Sequence, residues 1–176
     1  MNLPNKLSVL RVLCVPFIVV LMMIPDRDWQ WASLGLFVLA SFTDYLDGHI
    51  ARKHHLITDF GKFIDPIADK LLVLSTLIML IYRGFMPAWA VVVILTRELC
   101  VDGLRLIAVT KGKVIAAGPL GKIKTVLQMF MIIWALALQK PILSHWTGLI
   151  LFTLAVAMTL ISGIDYFRRN KSVFDS

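Results

Sequence analysis

Residues 43–52 read TDYLDGHIAR and residues 61–71 read GKFIDPIADKL. Both stretches lie in or beside long apolar runs, so Asp44, Asp47, Asp65 and Asp69 fall where lipid-crossing helices are expected. A charged carboxylate in such a helix costs at least ~2.5 kcal/mol on the most lenient insertion scale. Four of them in one short region need a common compensation, and that compensation dictates how the surrounding helices are arranged.

Written as a helix, the first stretch puts Asp44, Asp47, Gly48 and Ala51 at i, i+3, i+4 and i+7, so both acids and two small residues share a face. In the second, Gly61, Asp65 and Asp69 are spaced by four and repeat the pattern. Asp44 lies seven residues from Ala51, and Asp69 eight from Gly61, which by a rise of ~1.5 Å per residue puts each roughly 10–12 Å from one membrane boundary. A short loop joins the two helices, so the acid faces can meet at one depth. Four converging carboxylates repel, and at least one would have to keep its proton. Two divalent cations remove that conflict, and oxygen-only donors favour Mg²⁺ or Mn²⁺ over zinc. Two such ions about 3.5–4 Å apart can clamp the attacking and leaving oxygens of a phosphoryl transfer. Simple interfacial salt bridges to Arg52, Lys53, Lys62 or Lys70 would account for a single acid better than for four acids on two matched faces.

Composition agrees with a membrane setting. The 176 residues are 59% hydrophobic and only 16% charged, with a mean hydropathy of +0.81, which excludes an ordinary soluble domain. The expectation is one all-α polytopic membrane domain over residues 1–176, with six transmembrane helices at roughly 8–24, 32–51, 62–82, 87–109, 120–138 and 145–167, each near the ~20 residues a bilayer requires. Short breaks containing Pro, Gly and charge separate these runs, so sequential helices are expected to be antiparallel. The net charge of +7 is distributed around the apolar runs, not gathered in a block, and reads as a topology signal with no nucleic-acid partner. With a cytoplasmic N-terminus, the outer loops carry only Arg27, Arg83 and Lys140 of the 18 Lys and Arg residues, in keeping with the positive-inside rule. Trp29, Trp31 and Trp89 then mark the outer interface. The protein is thus expected in a cytoplasmic membrane, multi-pass, with its acids near the cytoplasmic face. Residues 2–11, NLPNKLSVLR, are too polar to span, and Asn5, Ser8 and Arg11 recur every three residues, which predicts a short N-terminal amphipathic segment along the inner surface. The first apolar run ends at Pro25-Asp26 without a small-residue cleavage pattern and reads as a retained span. Cys14 and Cys100 lie in apolar runs and suggest no disulfide.

The pattern Asp44-x2-Asp47-Gly48-x2-Ala51-Arg52-x8-Gly61-x3-Asp65-x3-Asp69 resembles the signature of the CDP-alcohol phosphotransferase family at every fixed position. LPNKLSVLRV at the start, LTRE at 95–98 and GKIKTVLQM at 121–129 resemble bacterial members that use glycerol-3-phosphate. The resemblance implies transfer of a phosphatidyl group from CDP-diacylglycerol to an alcohol with release of CMP, two divalent cations (Mg²⁺ or Mn²⁺), a bacterial membrane lipid environment and a homodimer. It implies that Asp44, Asp47 and Asp65 are metal ligands, and that Asp69 completes the second metal site and acts as base on the acceptor hydroxyl. Gly48, Arg52 and Thr58 would contact the cytidine nucleotide, with Asn5 and Ser8 as further candidates; Ser8 stands where threonine is common and keeps the hydroxyl.

For the acceptor, Arg97 lies mid-helix in VVVILTRELCVDGLRL, at about the depth of the aspartates, and a buried Arg in a span is a functional candidate by default. Arg105 near the inner end, with Lys122 and Lys124 opening the fifth helix, would complete an anion pocket suited to glycerol-3-phosphate. Alternatively Glu98, Asp102 and Arg105, on one helical stripe, satisfy each other, and the two lysines only set topology. Inositol phosphate, serine or phosphatidylglycerol are the alternative acceptors. Intramembrane acids also mark ion and proton transport paths, but these cluster near one surface without broken helices matched in two halves. His49, His54, His55 and His145 read as solvated polar residues, and Asp165 and Arg168 as a border of the pocket or of the interface.

Overall fold

The computed structural model describes residues 2–53, 58–113, 115–116 and 118–173, and within its helices the side chains of residues 3, 4, 44–53, 59, 62 and 172 lie outside that description. Six helices account for nearly all of it: α1 (Leu3–Met23), α2 (Arg27–Lys53), α3 (Asp59–Tyr82), α4 (Ala88–Thr110), α5 (Pro119–Leu138) and α6 (Trp146–Arg169), with one-turn 3-10 segments at Ile142–Ser144 and Lys171–Val173. No strand occurs among the described residues.

The helix ends follow local chemistry. Asn2 caps α1 by accepting from the Asn5 amide at 3.3 Å, and Thr58 caps α3 by accepting from the Gly61 amide at 3.0 Å, each satisfying one of the free N–H groups of a first turn. Gly118 and Pro119 open α5, using the fixed φ of proline where no N–H is needed. α5 ends with Gln139 in the left-handed region at φ 52°. From there the side chain of Gln139 donates to the Arg27 carbonyl at 3.3 Å.

α1 packs most extensively on α2 and α3, and α5 on α6, with α4 closing against α6. The core runs through the bundle as Ile18 and Met22 of α1, Phe37 of α2, Leu72, Leu77 and Leu80 of α3, Ile94 of α4 and Met131 of α5. A smaller cluster of Val101, Leu104, Ala108, Tyr166 and Val173 lies at the end of the bundle where α1 begins, the near end. At the far end Arg83 donates to the Ile24 carbonyl at 3.4 Å, and the Ile142 amide donates to the Phe85 carbonyl at 2.8 Å. Trp29, Trp31, Trp89 and Trp146 are exposed there.

The outside of the bundle is apolar. Phe17, Leu39, Phe63 and Leu106 are each more than 60% exposed, and an apolar exterior on this scale calls for lipid as the solvent. Among the described residues three helices are long and apolar enough to cross a membrane, α1 from Asn5, α5 and α6. α3 carries Asp65, Asp69 and Lys70, and α4 carries Arg97, Glu98, Asp102 and Arg105, which lowers their hydropathy. One expectation is corrected: residues 2–11 do not form a separate surface segment. They are the first turns of α1, and Asn5, Ser8 and Arg11 are buried. Asn5 and Ser8 point inward to polar partners, Thr58 and Asp65.

Candidate active site

At the near end, α1 and α3 run side by side and are joined by a small polar clamp. Asn5 Nδ2 donates to Thr58 Oγ1 at 2.9 Å, and that hydroxyl donates back to Asn5 Oδ1 at 3.0 Å. The close approach explains the glycine at 61: a Cβ there would sit 2.9 Å from Asn5 Oδ1 and 3.2 Å from Thr58 Oγ1. One turn further along, the Ser8 hydroxyl donates to Asp65 Oδ1. Ser8 is wholly buried and Asn5 is 5% exposed. Their polar groups meet Thr58 and Asp65, and nucleotide contact by either stays an expectation of the family resemblance. Thr58 is half-buried. Asp44, Asp47, Gly48 and Arg52 lie in the last turns of α2, where the side chains are outside the described residues.

A cavity of about 230 Å³ opens between α3, α4, α5 and α6. Asp69 and all four cations expected around the acceptor, Arg97, Arg105, Lys122 and Lys124, line it, as do Lys70, Glu98, Asp165 and Tyr166. The cations differ in their commitments. Lys124 donates to Glu98 Oε1, and Arg97 Nη1 donates to the same oxygen at 3.1 Å. Lys70 is paired with Asp102. Arg105 Nε donates to the Tyr166 hydroxyl at 3.0 Å, with its guanidinium 5.4 Å from the ring centroid. Glu98, Asp102 and Arg105 therefore each take a partner on another helix, Glu98 adding its neighbour Arg97, and no bond among the three occurs in the described residues. The Glu98 carboxylate, 14% exposed, is a low-dielectric site where a lone charge would be costly, and its two cations offset that cost.

Arg97 is held by shape as well as charge. A Cβ on Gly163 would lie 3.1 Å from Arg97 Cγ, and one on Gly121 would lie 3.7 Å from Arg97 Nη2. Two glycines, on α5 and α6, leave room for the guanidinium to pass between helices. Lys70 and Tyr166 were not singled out as site residues by sequence. Tyr166 had a signal: Ser162, Asp165 and Tyr166 fall at i, i+3 and i+4, a polar face at the end of an apolar helix.

The family model for CDP-alcohol phosphatidyltransferase matches residues 1–161. The chain belongs to that family. Among curated relatives, the Bacillus subtilis protein named CDP-diacylglycerol–glycerol-3-phosphate 3-phosphatidyltransferase is 41% identical, with 96% of this chain and 95% of the relative covered. The Rickettsia typhi protein of the same name is 41% identical, covering 98% of this chain and 99% of its own. A Cereibacter sphaeroides protein, again so named, is 33% identical over 96% of this chain and 95% of its own.

Within this CDP-alcohol phosphatidyltransferase domain, the donor chemistry suits hard divalent cations. Asp65 and Asp69 stand one turn apart on α3, and among the described residues no His or Cys lines the cavity. Among the described residues no three potential ligand side chains form a cluster, and Asp44 and Asp47 lie outside that set.

Proposed function

We propose that this protein transfers the phosphatidyl group of CDP-diacylglycerol to glycerol-3-phosphate and releases CMP. The observation that carries this reading is the cavity in which Asp69 shares walls with Arg97, Arg105, Lys122 and Lys124. Such a cavity suits an acceptor with a hydroxyl to deprotonate and a phosphate to hold. The names of the relatives from Bacillus subtilis and Rickettsia typhi support the same donor and acceptor.

In this reading the acceptor hydroxyl oxygen bonds to the phosphorus that carries diacylglycerol. The bond from that phosphorus to the bridging oxygen of the pyrophosphate breaks, and its electron pair leaves with CMP. Asp69 takes the hydroxyl proton. Arg105 and Lys122 meet the acceptor phosphate, with Arg97 and Lys124 behind them on Glu98. Gly48, Arg52 and Thr58 form the nucleotide side. Asp44, Asp47, Asp65 and Asp69 would hold two divalent cations, Mg²⁺ or Mn²⁺. Bound there, the ions supply positive charge to the pyrophosphate and to the departing CMP.

All six helices span the membrane in this reading, with the near end in the cytoplasm, where a soluble acceptor and CMP can exchange. The scarcity of Lys and Arg at the far end supports that orientation, and the exposed tryptophans there mark a membrane interface. Two copies pair as a homodimer, an expectation resting on family resemblance.

The test is an acceptor panel with labelled CDP-diacylglycerol and the purified protein in detergent. CMP and a lipid with the mass of phosphatidylglycerophosphate are expected with glycerol-3-phosphate, lost in chelator and restored by Mg²⁺ or Mn²⁺. CMP release with none of the acceptors would overturn the reaction class. Preference for inositol phosphate, serine or phosphatidylglycerol would overturn the acceptor, and full turnover in chelator would remove the metals.

A further inference from the structure

We propose that Ser8 is a positioning residue for Asp65, holding one carboxylate oxygen so that the other is presented to a divalent cation. The inference rests on the metal reading of Asp65 above and gives a part to the first helix, which otherwise lies behind the site. Ser8 has no exposed surface and does not line the cavity. It donates to Asp65 Oδ1. A carboxylate with one oxygen held by a fixed donor loses freedom about its side-chain torsions, and its second oxygen is left with a defined direction. Partners of this kind, which orient a ligand without touching the metal, govern affinity strongly.

The donor is itself held in place. One turn before Ser8, Asn5 exchanges two hydrogen bonds with Thr58, and Thr58 caps the helix that carries Asp65. Gly61 permits that approach, since a Cβ would press on Asn5 and Thr58. The clamp fixes the register of α1 against α3, and Ser8 uses that register to meet Asp65. Pro66 directly follows Asp65 inside α3 and has no N–H to give to the helix, so an outside contact to this turn replaces some of the order that the backbone lacks.

The experiment is a Mn²⁺ titration of the full-length protein in detergent, read by the loss of the free-ion signal in electron paramagnetic resonance. Ser8→Ala is expected to weaken Mn²⁺ binding about ten- to a hundredfold. Ser8→Cys keeps the volume with a feeble S–H donor, so it carries the test even where the alanine variant fails to fold, and it should weaken binding in the same direction. Ser8→Thr, which retains the hydroxyl, should restore most of the affinity. The Mg²⁺ concentration for half-maximal activity should rise in step, while the donor KM at saturating metal stays within about twofold, as expected of a residue that acts only through a ligand. Unchanged Mn²⁺ affinity in the cysteine variant, beside lost affinity in Asp65→Asn, overturns the role of Ser8 and leaves the metal reading standing. Unchanged affinity in Asp65→Asn itself overturns the metal reading.

Discussion

Lys124 is only 4% exposed, yet its ammonium is not stranded, because Glu98 accepts from it and from Arg97 through one oxygen. That arrangement commits two of the five cations lining the cavity before any ligand arrives, and Lys70 is committed to Asp102. Arg105 shares only the neutral Tyr166 hydroxyl, and Lys122 has no ion pair among the described residues, so these two retain the most charge for a phosphate. Arg105→Ala should therefore lower kcat/KM for glycerol-3-phosphate by about one to two decades, the loss of a charge-assisted hydrogen bond of ~1.5–3 kcal/mol. Its donor KM should stay near wild type, as steady-state kinetics with each substrate varied would show. Arg97→Ala should behave differently. It removes a partner from buried Glu98 and empties the gap between Gly121 and Gly163, so the melting temperature in detergent should fall along with acceptor kinetics. Arg97→Lys should recover only part, since an ammonium keeps the charge but loses the planar fork. Unaltered acceptor kinetics in Arg105→Ala would make its contact with Tyr166 purely structural.

At the scale of helices, the connection from α5 to α6 shows how closely elements can approach. A Cβ on Gly148 would lie 2.2 Å from the Ile142 carbonyl oxygen and 2.6 Å from the Trp134 ring, whereas Gly35 has nothing within 4 Å of that position. Backbone cannot yield as a flexible side chain can. Gly148→Ala should cost about 1–3 kcal/mol as overpacking, seen as a lower melting temperature in detergent, while Gly35→Ala should leave stability level or raise it by a few tenths. An equal response of the two variants would show that the α5–α6 joint gives way. The helix limits could be read from sequence because apolar runs and Pro or Gly breaks are local signals; α3 begins earlier than its apolar run, at Asp59, because the Thr58 cap admits a polar first turn. The gathering of Arg97, Arg105, Lys122 and Lys124 was legible for a related reason, since depth follows from residue count along each helix. Partner choice was not. That Lys124 meets Glu98, Lys70 meets Asp102 and Ser8 meets Asp65 depends on how helices rotate against each other, which spacing within one helix does not encode. The inward turn of Asn5, Ser8 and Arg11 was missed for the same cause: a polar stripe looks alike whether it faces water or a polar partner.

For the molecule as a whole, the decisive property is which end faces the cytoplasm, because a charged acceptor and CMP cannot cross lipid to reach the cavity. Asp26 and Lys140 lie at the far end, and Lys113 and Lys171 at the near end; all four are exposed. Three helices separate Asp26 from Lys113, while α5 alone separates Lys113 from Lys140 and α6 alone separates Lys140 from Lys171. Single cysteines at these positions, in a chain with Cys14→Ala and Cys100→Ala, therefore report the crossings one stretch at a time. On intact cells a membrane-impermeant maleimide should label Asp26→Cys and Lys140→Cys, and should reach Lys113→Cys and Lys171→Cys only after permeabilisation. Charge favours this outcome, since Arg27, Arg83 and Lys140 are the basic residues of the far-end loops, and short loops rich in Lys and Arg remain cytoplasmic. The reverse pattern would put the cationic cavity on the wrong side for a cytoplasmic phosphorylated acceptor. Labelling of Lys113→Cys and Lys140→Cys from the same side would mean that α5 does not cross, and the cavity, one wall of which is the first turns of α5, could not then sit in a six-span bundle.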